Sequence, residues 1–382
     1  MLYFDGATLI RTPFLILRNE TGLKRIAVAL FVWAGLVVQA VFSYFCMCLD
    51  YVFFMCLDYV FFPRVRRVPV RAPIFIVGNG RSGTTQMHRL LTGDAQQMSF
   101  FKTYELLLPS LTQKRALSGL AWIDRVLLGG WVQRAIRRKH DTGLSEVREM
   151  HDWQMDGAEE DDFIMLHNFS ACTITTFFPY NTDYLDLFWT DRRPARLRRK
   201  IIGFYKAALQ RQIYALGTDK IHCCKSPQFT LKVLSLLEVF PDARFVVMVR
   251  NPAETLPSLE HLMQWYWRKQ GCSEALSQKA AGELSEIQLL QYRNVFEALK
   301  TIPENQQCIV QFPDLVADPR KVVEQIYDRF GLTVYSDYAA FLQTESDKAR
   351  AFSSKHHYEK ASDEDSRRYK AAVPELALRF GW

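Results

Sequence analysis

The first part of the chain is dominated by one long apolar run. Residues 26–49 read IAVALFVWAGLVVQAVFSYFCMCL and include no charged side chain. A helix needs ~20 such residues to cross the hydrocarbon core of a bilayer, whereas the apolar part of a signal peptide has only ~7–15. Gln39 and Ser43 are too few to form the polar face that a core helix usually shows. The pattern therefore predicts a helix that crosses a membrane or associates with one.

A tandem repeat overlaps the end of this run, because residues 47–54 and 55–62 both read MCLDYVFF. Two copies are too few for a repeat architecture, which needs at least ~3, so we interpret them as an interfacial extension of the helix. Basic residues lie on both sides of the run, and the positive-inside rule therefore gives no orientation. We predict an N-terminal membrane anchor region at residues 1–62 and a linker at residues 63–72.

From residue 73 onward, short apolar runs alternate with longer helical patterns. This alternation is typical of an α/β fold, in which helices flank a parallel sheet. We expect one domain at residues 73–382, in which residues 115–220 form a largely helical cap. The clearest strands are predicted at residues 74–77, 221–224, 245–249 and 308–312.

The composition is that of a globular protein, with 49% hydrophobic and 23% charged residues among 382. The net charge of +7 suits polyanionic ligands or a membrane surface. Nucleic-acid binding would require a dense basic stripe with interleaved aromatic residues. The nearest such segment, residues 192–200, is interpreted as a solvated helix face, so no nucleic-acid partner is predicted.

The eight cysteines show neither a disulfide framework nor a metal-ligand pattern. Cys223 and Cys224 are adjacent, and no Cys-x-x-Cys pair occurs, which disfavours a zinc site. His356 and His357 are neighbours, which is not the spacing of two ligands on one helix face. We therefore predict no metal site.

The most informative segment is residues 73–91, PIFIVGNGRSGTTQMHRLL. A buried strand enters a glycine-rich turn and a helical pattern leaves it, which places free backbone N–H groups and the positive end of a helix around an anion. Gly80 and Gly83 would let the backbone approach a phosphate closely. The side chains expected to bind the anion are those of Arg81, Ser82, Thr84 and Thr85.

Three kinds of ligand compete for this turn. Residues 78–83 match the dinucleotide fingerprint G-x-G-x-x-G, and Glu105 lies ~20 residues further on, where that fingerprint has an acid. Residues 78–85 also fit the Walker spacing, but Thr84 replaces its lysine, which disfavours ATP or GTP hydrolysis. A 5′-phosphosulfate has no γ-phosphate and needs no Mg²⁺ bridge, so it tolerates the loss of that lysine.

A second segment separates these alternatives. Residues 243–258 read ARFVVMVRNPAETLPS, in which an apolar strand ends at Arg250 and Ser258 follows on the next helix. The two side chains can converge on one phosphate. A hydride-transfer enzyme has no need of this pair, whereas a protein that binds a 3′-phosphate does.

Together, the motifs resemble the P-loop sulfotransferase superfamily, and particularly the branch of the tyrosylprotein sulfotransferases and their broad bacterial-type relatives. Residues 78–85 are similar to its 5′-phosphosulfate motif and residues 250–258 to its 3′-phosphate motif. Residues 225–227, Lys-Ser-Pro, are similar to its Lys-Asp-Pro segment. The resemblance covers residues 73–369 and implies a P-loop-type sheet and a sulfotransferase catalytic domain at residues 73–382.

The sequence departs from the family pattern at three places. Gly80 stands where many members have proline, and Ser226 where this branch often has aspartate. Neither change removes a phosphate contact. Gln311 and Phe312 replace the usual Tyr-Glu pair, which leaves no acid there for a helper role.

The resemblance implies transfer of the sulfuryl group of 3′-phosphoadenosine 5′-phosphosulfate (PAPS) to an acceptor hydroxyl by in-line attack. A base that takes the hydroxyl proton is worth ~10²–10⁴-fold in rate. Glu105, expected at the end of the second strand, is the first choice, because relatives place a catalytic glutamate just after the phosphate-loop helix. His88 is the rival base, Arg81 supplies a fixed charge, and Lys225 is assigned to the charge that develops on the bridging oxygen.

The remaining predictions concern the donor site and two further segments. The donor site is predicted from Gly80, Arg81, Ser82, Gly83, Thr84, Thr85, Arg250 and Ser258. The acidic residues 159–162 are either a solvated face or an acceptor contact, and residues 355–358 are either a loop over the donor or solvated surface.

The acceptor and the location are less well defined by the sequence. The acceptor is a lipid, a glycan or a protein, and membrane lipid is an expected partner; the oligomeric state is left open. The location is a membrane, of Golgi type if the source is eukaryotic. The alternative functions are a P-loop small-molecule kinase and a non-catalytic membrane protein.

Overall fold

The computed structural model describes residues 3–57, 65–135, 157–216, 219–351 and 361–382. Its centre is a five-stranded parallel sheet, made of β1 (Ile74–Gly78), β2 (Met98–Ser99), β3 (Ile221–Lys225), β4 (Arg244–Val249) and β5 (Gln307–Gln311). The strand order is β2-β3-β1-β4-β5. The predicted α/β fold with a parallel sheet is confirmed, and the four predicted strands differ from the observed ones by at most one residue at each end.

Two of the described α-helices precede the sheet in the chain, and the others alternate with its strands or follow them. In chain order, the described α-helices begin with α1 (Gly6–Asn19), α2 (Leu23–Leu57), α3 (Thr84–Thr92), α4 (Thr103–Leu107), α5 (Leu111–Leu127), α6 (Leu185–Phe188), α7 (Ala195–Leu216) and α8 (Val233–Val239). They continue with α9 (Pro252–Lys269), α10 (Glu274–Leu299), α11 (Phe312–Ala317), α12 (Pro319–Phe330), α13 (Ser336–Ala351), α14 (Asp363–Ala372) and α15 (Pro374–Phe380). The described 3₁₀ helices span Val65–Arg67, Asp161–Asn168, Cys172–Thr176, Thr190–Arg192, Pro227–Phe229 and Glu304–Gln306.

The sheet separates two hydrophobic cores, because successive side chains of a strand point to opposite faces. On β1, Phe75 and Val77 join a core with residues of α7, α8 and α10. Ile74 and Ile76 join the other core, with residues of α3 and α12. All of β1 is buried, which explains why its apolar run is continuous rather than alternating.

The N-terminal helices pack against the α/β domain instead of standing apart from it. The segment Leu23–Cys48 of α2 is long and apolar enough to cross a membrane, by length and composition alone. One side of α2 nevertheless contacts the domain, since Ala29 and Ala40 belong to a core that also contains Phe169 and Trp267. The helix continues to Leu57, so it includes the first MCLDYVFF copy, and the end of the second copy lies outside the described residues.

Candidate functional site

The turn between β1 and α3 has a backbone that only particular residues adopt. Gly83 begins α3 with φ of 92°, in the left-handed region that favours glycine. A Cβ atom at this position would lie 2.5 Å from the Phe312 ring. Arg81 also has a positive φ, of 66°, which points to a turn whose shape is fixed by its surroundings.

The turn presents a set of backbone donors at the carboxyl edge of the sheet. Among the residues that the structure describes, no protein acceptor forms a hydrogen bond with the N–H groups of Arg81, Gly83, Thr84, Thr85 and Gln86. By contrast, the Ser82 hydroxyl donates to the Asn79 carbonyl at 2.6 Å and holds the turn together. Free N–H groups at the N-terminus of a helix form an anion-binding site.

The two motifs predicted to bind the donor are brought together. Arg81 Nε donates to Ser258 Oγ at 3.1 Å. Arg250 Nη1 donates to the Arg81 carbonyl at 3.3 Å, and its guanidinium lies 4.2 Å from the centre of the Phe312 ring. Residues far apart in sequence therefore place two arginines beside the free N–H groups.

Lys225 is a fully buried cation next to the turn. It ends β3, and its Nζ lies 3.1 Å from Glu160 Oε1, 3.4 Å from Glu159 Oε1 and 3.5 Å from Thr85 Oγ1. Burial alone lowers the pKa of this amine, but Glu160 and then Glu159 outweigh it, so the pKa is raised above its ordinary value. Lys225 is thus a permanent positive charge at neutral pH.

The acidic residues 159–162 face the interior, so their interpretation as a solvated face is wrong. Asp161 accepts hydrogen bonds from Tyr205 at 2.5 Å and His222 at 2.8 Å. Asp162 pairs with Lys232 at 2.7 Å, and both side chains are fully buried. The run attaches the 3₁₀ helix Asp161–Asn168 to the sheet through charge-assisted bonds.

Glu105 does not lie where the sequence placed it. The strand β2 ends at Ser99, and Glu105 is the third residue of α4. Its carboxylate accepts from the backbone N–H of Lys102 at 2.9 Å and from Gln212 Nε2 at 2.8 Å, and it lies 3.5 Å from Lys114 Nζ. The side chain therefore lies in the first turn of a helix rather than at a strand end, and it is buried.

His88 is buried between α3 and β3. Its Nε2 donates to the Cys223 carbonyl at 3.0 Å. Burial, helped by the charge of Lys225, lowers the pKa of His88 to about 4. The imidazole is therefore neutral at pH 7 and occupied by a main-chain bond, which argues against its role as the rival base.

A cavity of about 760 Å³ opens beside the turn. Its walls combine the turn, including Gly80, Arg81, Gly83, Thr84 and Thr85, with Arg250. Another part of the wall is apolar and includes Phe163, Phe177, Phe188, Leu262, Met263 and Tyr266. Glu159, Glu160 and Glu345 also line the cavity, whereas Glu105, His88, Lys225 and Ser258 are not among its described wall residues.

Two side chains at the site were missed by sequence reasoning. Gln288 lies on α10. Its side-chain Oε1 accepts from the Gly80 N–H at 2.9 Å, and its main-chain carbonyl accepts from Asn79 Nδ2 at 2.8 Å. Phe312 lies under Arg250 and against Gly83. Its place after β5 was noted only as a departure from the family pattern, and no signal in the sequence points to Gln288.

Two features of the site bear on other expectations. In the described ranges, no group of three or more His, Cys, Asp or Glu side chains is arranged to hold a metal ion. Residues 355–358, considered as a loop over the donor, lie outside the described residues.

The sequence model of the sulfotransferase family matches residues 73–337, which is more than half of the chain. The chain belongs to the sulfotransferase family. The matched region contains the β1–α3 turn, Lys225, Arg250 and Ser258. The resemblance that the motifs indicated is thereby confirmed.

Two mycobacterial relatives share 26% identity with this sulfotransferase over 274 residues. Both are named omega-hydroxy-beta-dihydromenaquinone-9 sulfotransferase Stf3, one from Mycobacterium bovis and one from Mycobacterium tuberculosis. The match covers 70% of this chain and 64% of each relative, so it spans less than two thirds of their length.

Two solved sulfotransferase structures share the fold. STF9 from Mycobacterium avium aligns with a TM-score of 0.67 and 18% identity over 99% of this chain and 97% of its own. STF1 from Mycobacterium tuberculosis aligns with a TM-score of 0.67 and 17% identity over 97% of this chain and 92% of its own. The alignments cover nearly the whole chain, so the N-terminal helices are included in the shared fold.

Proposed function

We propose that this sulfotransferase moves the sulfuryl group of PAPS to an acceptor hydroxyl. The observation that carries the proposal is the β1–α3 turn, where free N–H groups meet Arg81 and Arg250 beside a cavity. Such a cluster of donors and cations is what a ligand with several anionic groups requires. The family membership supports the same reaction.

The proposed donor site has two parts. The 5′-phosphosulfate would be held by the turn formed by Gly80, Arg81, Ser82, Gly83, Thr84 and Thr85. Arg250 and Ser258 would hold the 3′-phosphate, and their contacts with Arg81 link the two parts. The free N–H groups and the buried cation of Lys225 match the charge of this ligand.

In the proposed reaction, the acceptor oxygen attacks sulfur as the bond between sulfur and the phosphate oxygen breaks. The acceptor proton passes to a carboxylate, and the leaving oxygen stays on adenosine 3′,5′-bisphosphate as part of its phosphate. Negative charge grows on that oxygen, so a fixed cation nearby lowers the barrier. Lys225 is suited to this task because its raised pKa keeps it protonated.

Two glutamates are candidates for the base, on different grounds. The family resemblance supports Glu105, although its oxygens accept bonds from Lys102 and Gln212. The cavity wall supports Glu160, which reaches Lys225 at 3.1 Å. The variants Glu105→Gln and Glu160→Gln separate them. Replacing the glutamate that acts as the base lowers kcat by ~10²–10⁴-fold and leaves donor affinity unchanged. Replacing the other glutamate does not lower kcat to this extent.

The acceptor is proposed to be a hydroxyl on a lipid-soluble molecule. The apolar part of the cavity wall, which includes Phe163, Phe177 and Tyr266, favours an apolar body next to the reacting oxygen. The mycobacterial relatives are named for an omega-hydroxylated menaquinone, which is in agreement with this class. A location at a membrane follows, and α2 supports it by its length and composition.

Calorimetric titration tests the donor site. We expect adenosine 3′,5′-bisphosphate to bind at least about tenfold more tightly than adenosine 5′-phosphate, because Arg250 and Ser258 would contact the added phosphate. Arg250→Ala should abolish this preference. Arg379→Ala is the matched control, because Arg379 also stacks on phenylalanine but lies on α15. Tight Mg²⁺-dependent ATP binding would instead favour the small-molecule kinase.

A further inference from the structure

An apolar surface extends over the outer side of three helices, α1, α2 and α5. Among the large hydrophobic side chains that the structure describes as exposed, ten lie in α1 and α2, nine at residues 107–131 and five elsewhere. The helix α2 packs against both α1 and α5. The Trp33 indole donates to the Leu9 carbonyl of α1, and Gln39 donates to the carbonyl of Leu107, the last residue of α4. We call this the α1–α2–α5 surface.

The helix α2 has two apolar sides with different surroundings. Its inner side, with Ala29, Ala40 and Met47, is buried against the domain. Its outer side follows a helical period and is apolar except for Lys24; it consists of Leu23, Lys24, Ala27, Val28, Phe31, Ala34, Gly35, Val38, Val41, Phe42, Phe45 and Cys48. A helix that is apolar all round is covered by protein or by lipid, and here protein covers only one side.

The packing of α2 is incompatible with a simple bilayer span. Its buried positions run from Arg25 to Met47, which corresponds to about 33 Å of helix and so to the whole hydrocarbon core of ~30 Å. If α2 stood perpendicular to the membrane plane, the protein that packs along it would enter the hydrocarbon core to the same depth. Those neighbours carry exposed ion pairs, such as Arg18 with Asp183 at 2.6 Å, which are costly in hydrocarbon.

The charges around the surface favour a membrane with anionic lipid. Within the described side chains of residues 6–48 and 107–135, the carboxylates are Glu20 and Asp124, and both are buried. Asp50 belongs to α2 but its side chain is outside the description. The exposed charges of these two ranges are therefore all positive. They are Lys24, Arg115, Arg125 and Arg134, together with Arg18, which pairs with Asp183.

Aromatic side chains add a second sign of an interface. Trp122, on α5, and Trp131, just beyond it, are both more than half exposed. Tryptophan is enriched at the depth of lipid headgroups, where its ring is partly apolar and its N–H can reach water. Two exposed tryptophans beside the cations fit the edge of a membrane-embedded surface.

We propose that the α1–α2–α5 surface lies in the plane of one leaflet that contains anionic lipid, and that α2 does not cross the bilayer. The apolar side chains enter the acyl region and the cations contact the headgroups. This arrangement places both termini and the catalytic domain on one side of the membrane.

The same arrangement would bring the cavity close to the leaflet. Cys172, Leu259 and Leu284 line the cavity and belong to the core that contains Ala29 and Ala40 of α2. Arg25, in the first turns of α2, donates to the carbonyl of Phe177, another wall residue. A lipid-soluble acceptor would then have a short path from the leaflet to the cavity. This consequence rests on the proposed function, whereas the proposal that the surface binds a membrane is independent of it.

Vesicle co-sedimentation of the full chain tests the surface without any assay of activity. Phe31→Glu and Leu120→Glu alter side chains that are 79% and 63% exposed. Each should weaken binding to phosphatidylcholine–phosphatidylglycerol vesicles by at least about tenfold, because an apolar contact is lost and a negative charge is added. Leu378→Glu, on α15 and 87% exposed, is the matched control and should bind like the unaltered protein.

Unchanged binding of both variants would overturn the proposal, provided that their thermal unfolding matches that of the control. A lipid-free dimer that Phe31→Glu converts to a monomer would also overturn it, because a second copy would then cover the surface.

Protease protection distinguishes the in-plane arrangement from a span. Tags at the N-terminus and at the C-terminus are digested in sealed membrane vesicles from expressing cells. The in-plane arrangement predicts the same sensitivity for both tags, since α1 has only 14 residues and is too short to cross back. Digestion of one tag with protection of the other would show that α2 crosses the bilayer.

Discussion

At the scale of single residues, Gly83 shows how strongly the turn depends on its backbone. We predict that Gly83→Ala destabilises the protein by about 1–3 kcal/mol, because the left-handed φ is strained for alanine and its Cβ would meet the Phe312 ring. It should also weaken donor binding by at least about tenfold. Gly203→Ala, in the middle of α7 with open space around it, is the control and should raise stability by up to about 1 kcal/mol.

Urea unfolding and calorimetry measure these two effects. An alanine at position 83 that leaves stability and donor affinity unchanged would show that the turn relaxes easily and that its shape does not create the donor site.

The buried histidines make stability depend on pH. Burial lowers the pKa of both His88 and His167 to about 4, so between about pH 6.5 and 4 the unfolded chain binds protons that the folded chain does not. Stability therefore falls as the pH falls, by about 2 kcal/mol for each histidine between pH 7 and 5. We predict that His88→Gln removes its share of this loss, as measured by urea unfolding at both pH values.

His261→Gln is the control for that measurement, because His261 lies exposed on α9. An equal loss of stability in the His88 variant and in the control would contradict the account of His88 as a buried neutral group.

Single residues also show what the sequence can and cannot predict. Arg81, Arg250 and Ser258 were assigned from spacing, because a strand end followed by a helix start is a local pattern, and the structure brings them together. Gln288 was not, since it enters the site from the middle of a long helix. Glu105 was placed at a strand end, but the chain turns into α4 after a strand of only two residues.

At the scale of elements, the sequence predicts best where burial is complete. The strands β1 and β4 are continuous apolar runs because both faces of the sheet are covered. The second strand was predicted to end at Glu105, but β2 spans only Met98–Ser99, and two residues are too short for any periodic signal. The burial of the acidic 3₁₀ helix Asp161–Asn168 could not be predicted, because its charges pair with partners more than 40 residues away in sequence.

The attachment of α2 can be tested through its first turns. Arg25 pairs with Glu20 at 3.2 Å and donates to the carbonyls of Gln270 and Phe177. We predict that Arg25→Ala lowers stability by about 3–5 kcal/mol, because it leaves the buried Glu20 carboxylate without its cation. Lys24→Ala, an exposed neighbour, should change stability by less than about 0.5 kcal/mol.

Thermal unfolding in a mild detergent compares these two variants. Equal melting temperatures for Arg25→Ala and Lys24→Ala would mean that α2 is not fixed to the domain in the way that its contacts indicate.

At the scale of the whole molecule, the sequence establishes the family but not the acceptor. The residues that we propose to bind PAPS lie near strand ends and on the β1–α3 turn, where the fold brings distant motifs to one edge of the sheet. The apolar wall is built from α9 and from short helices with no common motif, so its chemistry emerges only after folding. The exposure of the outer side of α2 also emerges only after folding, because it depends on which side of the helix packs against the domain.

Transfer of radiolabelled sulfate from PAPS to a panel of lipid-soluble, carbohydrate and phenolic hydroxyls tests the proposed activity. We predict a labelled lipid-soluble product, formed at least about 100-fold more slowly by Arg81→Ala and at an unchanged rate by Arg379→Ala. A protein that neither binds PAPS nor transfers label to any acceptor in the panel would contradict it.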